Sequence, residues 1–334
     1  MKKHLKTILK VTISLLMGIF IFWWAYRQMD TEEIFEILRN NVRYEYIWIG
    51  VFIGVLADLF RALRWKMQID ALGEQKPTTL NTFFAVMIGY FVNFLVPRAG
   101  EVVRCGIINR YHKIAFTKVL GTMIAERAFD IIIMLLLTAT GVLMQMTLFK
   151  KIVPDGMTFS FSGAYYWLGG ALLLFLLFFI FRSKLKNTFA YKKIAAMLKD
   201  IGLGIKTSLQ LKRRYLFFLY TIGIWGCYYL MIYVPIFAFD FTSGLSLAAV
   251  FFVFVMGNLG TAAPVQGGIG TWHFMTIMSL MLFGVGEVEA GAFALIVHGS
   301  QMFSYMVGGV LSFIGLPIAN TRRKSEQDYN QVKS

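Results

Sequence analysis

Apolar residues along this chain gather in long runs separated by short polar stretches, and nowhere does a strand-like alternation take over. Runs at 8–26, 46–64, 119–148, 162–181, 215–238 and 290–318 approach or exceed the roughly 20 residues that an α-helix needs to cross a hydrocarbon core. These are the predicted spans. The run at 8–26 is too long for a signal-peptide core and ends in bulky aromatics without a small-residue cleavage site, so it is read as a retained first span. Between the first two spans, Ile34, Phe35, Ile37 and Leu38 recur at helical spacing, which fits a short interfacial helix as well as a solvated connector. Two apolar stretches behave differently from the rest. The run 80–96 stops at Pro97, and 244–286 is interrupted by "GTAAPVQGGIGTWH".

Composition agrees with the runs: 57% of the residues are hydrophobic and 15% charged, with a mean hydropathy of +0.64. The expectation is an all-α, polytopic transmembrane bundle of about six to eight spans, with 1–334 as a single integral membrane domain and 319–334 as a basic cytoplasmic tail. Cys105 and Cys227 both lie in or beside apolar segments and offer neither a disulfide framework nor a metal site. A net charge of +15 would suit nucleic acid, but the basic residues fall mostly between apolar runs. Membrane orientation accounts for them better. Lys and Arg are retained on the cytoplasmic side, which places both termini and the loop 182–214 inside. The segment 27–45 holds five acidic and three basic residues and is placed outside.

That rule bears on the two interrupted runs. Basic residues flank 80–96 on both sides, with Arg61, Arg64, Lys66 and Lys76 before it and Arg98, Arg104, Arg110, Lys113 and Lys118 after it. A segment that enters from the cytoplasm, breaks at Pro97 and returns satisfies the rule at both ends; a plain span with a basic outer loop is the alternative. The stretch 244–286 starts and finishes outside, either as two full spans or as a second broken hairpin. "GYFVNFLVPRAGE" and "GNLGTAAPVQGG" share a Gly seven or eight positions before Pro-x-x-Gly and lie about half a chain apart. Entry from opposite faces would relate them as an inverted repeat, an arrangement that marks binding sites in transporters.

Non-helical backbone at membrane depth survives only inside protein or beside a wet cavity, so a broken hairpin implies a polar centre. Pro97 suits the first turn of a new helix, Gly100 permits close backbone approach, and the helix N-terminus reinforced by Arg98 is a candidate anion site. Further charges can converge there. Asp58, Arg61 and Arg64 succeed one another at three-residue spacing, Glu126 and Asp130 share a face with Arg127 between them, and Glu101 is three residues from both Arg98 and Arg104. Charges in a bilayer cost at least about 2.5 to 3.5 kcal/mol each, which makes a cluster of them a candidate site. Interhelical salt bridges near the cytoplasmic boundary are the structural alternative, favoured for Arg64 and Arg127.

"FFAVMIGYFVNFLVPRAGEVVR", "ERAFD" and "PVQGGIGTW" resemble the signature stretches of the lysylphosphatidylglycerol synthase transmembrane-region family, the flippase-like part of multiple-peptide-resistance-factor proteins. The resemblance runs from about residue 8 to 318. It implies translocation of a polar lipid between leaflets of a bacterial inner membrane. Asn93, Pro97, Arg98, Gly100, Glu101 and Arg104 match residue by residue, as do Glu126, Arg127 and Asp130, and then Pro264, Gly267, Gly268 and Gly270. Members often carry an acidic residue shortly after the second motif, where this chain has Trp272 and His273. Without a soluble aminoacyl-transferase domain the sequence resembles the stand-alone members. The expected partner is a membrane lipid with a phosphate or other polar headgroup, with no cofactor, metal or nucleic acid, and with self-association left open. A membrane enzyme acting on a lipid phosphate and an exporter of a small soluble anion remain alternatives. "PRAGE" itself holds no Ser, His or Cys to attack a phosphate or relay a proton, although Thr271 and His273 lie in the second motif.

Overall fold

The computed structural model describes residues 2–73, 75–145 and 210–333. The expected span 162–181 and nearly all of the loop 182–214 lie outside the described residues. In chain order the helices are α1 (Lys2–Tyr26), α2 (Thr31–Asn40), α3 (Tyr44–Asp70), α4 (Thr79–Leu95), α5 (Ala99–His112) and α6 (Phe116–Met144). They continue as α7 (Arg214–Ile236), α8 (Asp240–Ser243), α9 (Leu247–Thr261), α10 (Thr271–Leu282) and α11 (Glu287–Lys333), with a 3-10 turn at Gln266–Gly268. Among the described residues α3, α6, α7 and α11 are each long and apolar enough to cross a membrane, and α1 with α2 passes the same test as a bent pair. The protein is a helical, multi-pass membrane bundle.

Helix α2 stands at 84° to α1, the orientation of a helix lying in the interface. Asp30 starts it by accepting from the Glu32 and Glu33 amides at 2.8 and 3.4 Å, and both glutamates favour the positive end of the helix dipole. Its Ile34 and Ile37 are buried against the bundle while Phe35 points outward, at 65% exposure. The connector alternative for 27–45 is thereby replaced by a helix.

Both interrupted runs are hairpins. In the first, Gly89 of α4 packs on Gly100 of α5, and farther along Asn81 Nδ2 lies 2.8 Å from His112 Nε2, so the two arms run antiparallel from base to tip. In the second, a Cβ on Gly257 would meet Trp272 and one on Gly260 would meet Thr271, while Phe252 and Phe283 pair near the base at 5.8 Å. The arms α9 and α10 have 15 and 12 residues, about 22 and 18 Å of helix. Neither reaches across a hydrocarbon core of about 30 Å, so 244–286 is a re-entrant hairpin and not two full spans.

Helix α11 shows where each hairpin enters. At one end Asn320 hydrogen-bonds Asn81 at the base of the first hairpin, at 2.9 and 3.1 Å. Moving back along α11, Gly315 meets Phe84, Gly308 meets Met87, Gly309 meets Phe91, and Met302 meets Gly267, which also faces Phe94 of the first hairpin. Next, His298 stacks on Trp272 at 4.9 Å, and the other end of α11 packs with Val285 at the base of the second hairpin. The hairpins therefore enter from opposite ends, and their tips meet near the middle of the apolar part of α11, Glu287–Thr321.

The packing is reciprocal as well. Helix α4 packs on α11, the helix that follows the second hairpin, and α9 packs on α6, the helix that follows the first. Helices α3 and α7, which precede the two hairpins, pack on each other, with Gly50 against Pro235, Gly54 against Met231 and Phe60 against Gly223. That register is antiparallel, as an axis in the membrane plane requires. The match of α3 to α7, α4 to α9, α5 to α10 and α6 to α11 is the arrangement of an inverted repeat.

Candidate functional site

The two tips border a cavity of about 840 Å³ that α3, α6, α7 and α11 also line, within the size range of small-molecule sites. The first tip turns on Val96, Pro97 and Arg98. The Arg98 backbone is left-handed at φ 62° and occupies the N-cap position of α5. Pro97, expected in the first turn of the new helix, sits one step earlier in the turn, because the reversal of direction falls at Arg98. Asn93 on α4 reaches across the hairpin and accepts from the Gly100 amide at 2.8 Å, the service a capping residue normally provides from within its own chain segment. The Ala99 amide is held by Val96 O at 3.1 Å. Two of the leading amides of α5 are thus occupied, and the anion-attracting group that remains at this tip is the Arg98 side chain.

The second tip needs glycine. Gly267, Gly268 and Gly270 have φ of 57°, 79° and 83°, angles that residues with a Cβ adopt only at a cost. His298 Nε2 meets Gly267 O at 3.0 Å, and the Thr271 hydroxyl donates to Gly260 O at 2.7 Å. Helix α1 closes this tip from outside, with the Ser14 hydroxyl donating to Pro264 O and Gly270 packed on Gly18 and Phe22.

Beneath the first tip lies a buried ion network. Helix α6 supplies Glu126 and Asp130, at 0% and 8% exposure, one turn apart on the same face. Arg61 donates to Glu126 at 2.5 Å and to Asp130 at 2.9 Å. Arg64, fully buried, lies 2.6 Å from Asp130 and 3.5 Å from Glu126. Arg104 comes from α5 to Glu126 at 2.8 Å, with its guanidinium 4.5 Å from the centre of the Trp65 ring. Arg127 is half-buried, 3.4 Å from Glu101 and 3.8 Å from Asp130. Five guanidinium groups, counting Arg98, face three carboxylates, and among the described residues Arg98 has no hydrogen-bond or ion-pair partner. The surplus positive charge therefore faces the cavity.

The lining is mixed: Arg61, Arg98, Glu101, Arg127, Asp130 and Gln301 contribute polar groups, and Ile47, Val51, Met231, Ile232 and Pro235 contribute apolar ones. Along α3 the lining runs from Arg61 to Ile47, about 21 Å of helix.

Of the residues singled out in the sequence, Asn93, Pro97, Arg98, Glu101, Arg61, Arg127 and Asp130 line this cavity, together with Pro264, Gly267 and Gly268. Arg104 and Glu126 lie behind its wall in the ion network. Gly100 is buried in the hairpin interface, and Gly270 packs on α1. Arg98, Glu101 and Arg104 do not form one cluster: Glu101 turns to Arg127, Arg104 turns to Glu126, and Arg98 stands alone. Thr271 and His273 do not line the cavity, and the His273 ring packs between Phe22, Tyr26 and His298. Sequence reasoning overlooked His298, Gln301 and Tyr305, which line the cavity from α11. Their helical spacing of three and four inside an apolar run was the available signal.

The comparisons agree with this architecture. The family described as lysylphosphatidylglycerol synthase TM region matches residues 8–309. A UPF0104 membrane protein of Methanocaldococcus jannaschii is 28% identical over 233 residues, covering 67% of this chain and 93% of that protein. A UPF0104 membrane protein of Pyrococcus horikoshii is 27% identical over 163 residues, covering 46% of this chain and 44% of that protein, so the match spans less than half the relative's length. No solved structure matches the chain. With nine-tenths of its sequence inside the matched region, this chain belongs to the lysylphosphatidylglycerol synthase TM region family.

Proposed function

We propose that the protein moves an anionic or otherwise polar lipid between the leaflets of the cell's plasma membrane. The observation that carries this reading is the unpaired Arg98 guanidinium on a central cavity that is lined by both charged and apolar side chains. Such a cavity matches an amphiphile: a headgroup at the arginine and the first part of an acyl chain along Ile47, Val51 and Met231. Arginine's planar fork fits a phosphate or carboxylate with two parallel hydrogen bonds. Opposed hairpins whose tips share one cavity allow that site to face either leaflet in turn as one repeat rocks against the other. The positive-inside rule puts the Asn320 end of the bundle, with the basic residues at both chain termini, in the cytoplasm.

A lipid-phosphate enzyme is the competing class, and nothing in the cavity favours it. His298 Nε2 is engaged by Gly267 O and the Ser300 hydroxyl donates to Val297 O, so neither forms a nucleophile–base pair with the other. Purified protein in liposomes containing a fluorescent anionic phospholipid separates the two. Transport gives accelerated leaflet exchange without release of inorganic phosphate, and phosphate release without exchange would replace this reading with the enzymatic one.

A further inference from the structure

Asp58 is the charged group that the ion network leaves out. It sits on α3 one turn before Arg61, is 1% exposed, and has no hydrogen-bond partner on either carboxylate oxygen. Arg61 is the cation beside it, but that side chain is spent: Nη1 goes to Glu126 and Asp130, while Nε and Nη2 go to the Tyr228 hydroxyl at 3.3 and 3.1 Å. From α4 the Tyr90 hydroxyl faces Asp58 and is itself without a hydrogen bond. From α11 comes Tyr305, whose hydroxyl accepts from Gln301 at 2.9 Å. Tyr228 is the group that α7 contributes, and the α6 carboxylates reach Asp58 only through Arg61.

Two aromatic rings stand beside Asp58 at the cavity wall. Tyr90 and Tyr305 stack with centroids 4.6 Å apart and planes 20° apart. Both line the cavity, and Asp58 does not. One ring belongs to the first hairpin and the other to α11, so the stack joins the two halves of the inverted repeat. A buried carboxylate whose only near donor is the Tyr90 hydroxyl is expensive at membrane depth, whereas the neutral acid is tolerated there. One carboxylate and one facing hydroxyl are too few oxygens for a metal ion, which needs about six, and no three-residue cluster of metal-ligating side chains occurs among the described residues.

We propose that Asp58 is a proton-binding site behind a Tyr90–Tyr305 gate and that it couples lipid movement to a transmembrane proton gradient. With the stack closed, Asp58 carries a proton. When the halves rock apart and the rings separate, water reaches the carboxyl group, its O–H bond breaks, and the proton leaves to that water. The resulting negative charge lies on the arginine side of the cavity and weakens the hold on an anionic headgroup, so headgroup release and proton release go together. The coupling rests on the lipid-transport reading above; the proton site itself does not.

Two measurements on the full chain test it. The first is infrared difference spectroscopy of wild type against Asp58→Asn at neutral pH, where a neutral-acid carbonyl band present in wild type and lost in the variant is expected. The second is leaflet exchange of a fluorescent anionic phospholipid in proteoliposomes with and without an imposed pH gradient. Wild type should move lipid several-fold faster with the gradient, and Asp58→Asn, isosteric with the protonated acid, should exchange lipid at the same rate with and without it. Absence of the infrared band, an unchanged gradient response in Asp58→Asn, or a wild type driven by a sodium gradient instead would each overturn the proposal. Wild type that exchanges lipid without responding to the pH gradient refutes the coupling alone. Wild type that shows the band but exchanges no lipid refutes lipid transport and the coupling while upholding the proton site.

Discussion

Gly100 packs on Gly89 so closely that a Cβ on Gly100 would overlap the Gly89 carbonyl oxygen. This pair sets the spacing between the arms of the first hairpin and so the position of its tip. Gly100→Ala is expected to lower thermal stability in detergent by several degrees and to reduce folded yield. Gly106→Ala on the same helix meets open space and should leave stability unchanged or raise it by up to about 1 kcal/mol. Equal behaviour of the two variants would show that the close approach does not hold the hairpin.

Arg98 and Arg104 are expected to separate function from stability. Arg104→Ala removes one of three guanidinium groups around the fully buried Glu126, and breaking a buried pair costs up to about 3 to 5 kcal/mol. It should lose folded protein and keep activity per folded molecule. Arg98→Gly relieves a left-handed backbone that costs about 1 to 2 kcal/mol for a residue with a Cβ. It should melt higher than wild type and transport poorly, as measured by thermal unfolding and leaflet exchange on the same samples.

The opposed hairpins predict a labelling pattern. Single cysteines replacing Lys76 or Lys113 sit at exposed positions around the base of the first hairpin, and those replacing Gly244 or Glu287 flank the second. In a background lacking Cys105 and Cys227, a membrane-impermeant reagent should reach the first pair from the cytoplasm only and the second pair from outside only. Labelling of Lys76 and Lys113 from opposite sides would remove the re-entrant fold.

At the second tip, Gly268 is held at φ 79°. Gly268→Val forces a β-branched residue into a conformation that costs about 1 to 3 kcal/mol and should abolish exchange while membrane insertion, followed by fractionation, stays near the wild-type level.

Much of this fold could be seen in the sequence because bilayer thickness and backbone satisfaction leave few options. The run at 80–96 ends at Pro97 between two basic flanks, and the run at 244–286 is too broken for its length; both resolve as hairpins. What the sequence did not give was partner choice inside the polar centre. Glu101 lies three residues from both Arg98 and Arg104, yet it pairs with Arg127 of another helix, since the direction of the hairpin and not local spacing decides which arginine it meets. Asp58 was visible only as one member of a charged row; its lack of a partner follows from the tertiary engagement of Arg61 with α6 and α7. The α11 side chains His298, Gln301 and Tyr305 were hidden within a run that reads as ordinary span.

The most direct test is leaflet exchange per folded molecule for wild type, Arg98→Ala and Arg98→Lys, with thermal stability measured on the same preparations. An unpaired headgroup-binding arginine predicts severe loss of exchange in Arg98→Ala, partial recovery in Arg98→Lys because the charge returns without the fork, and unfolding temperatures that stay near wild type or above. Wild-type exchange by folded Arg98→Ala would contradict the account.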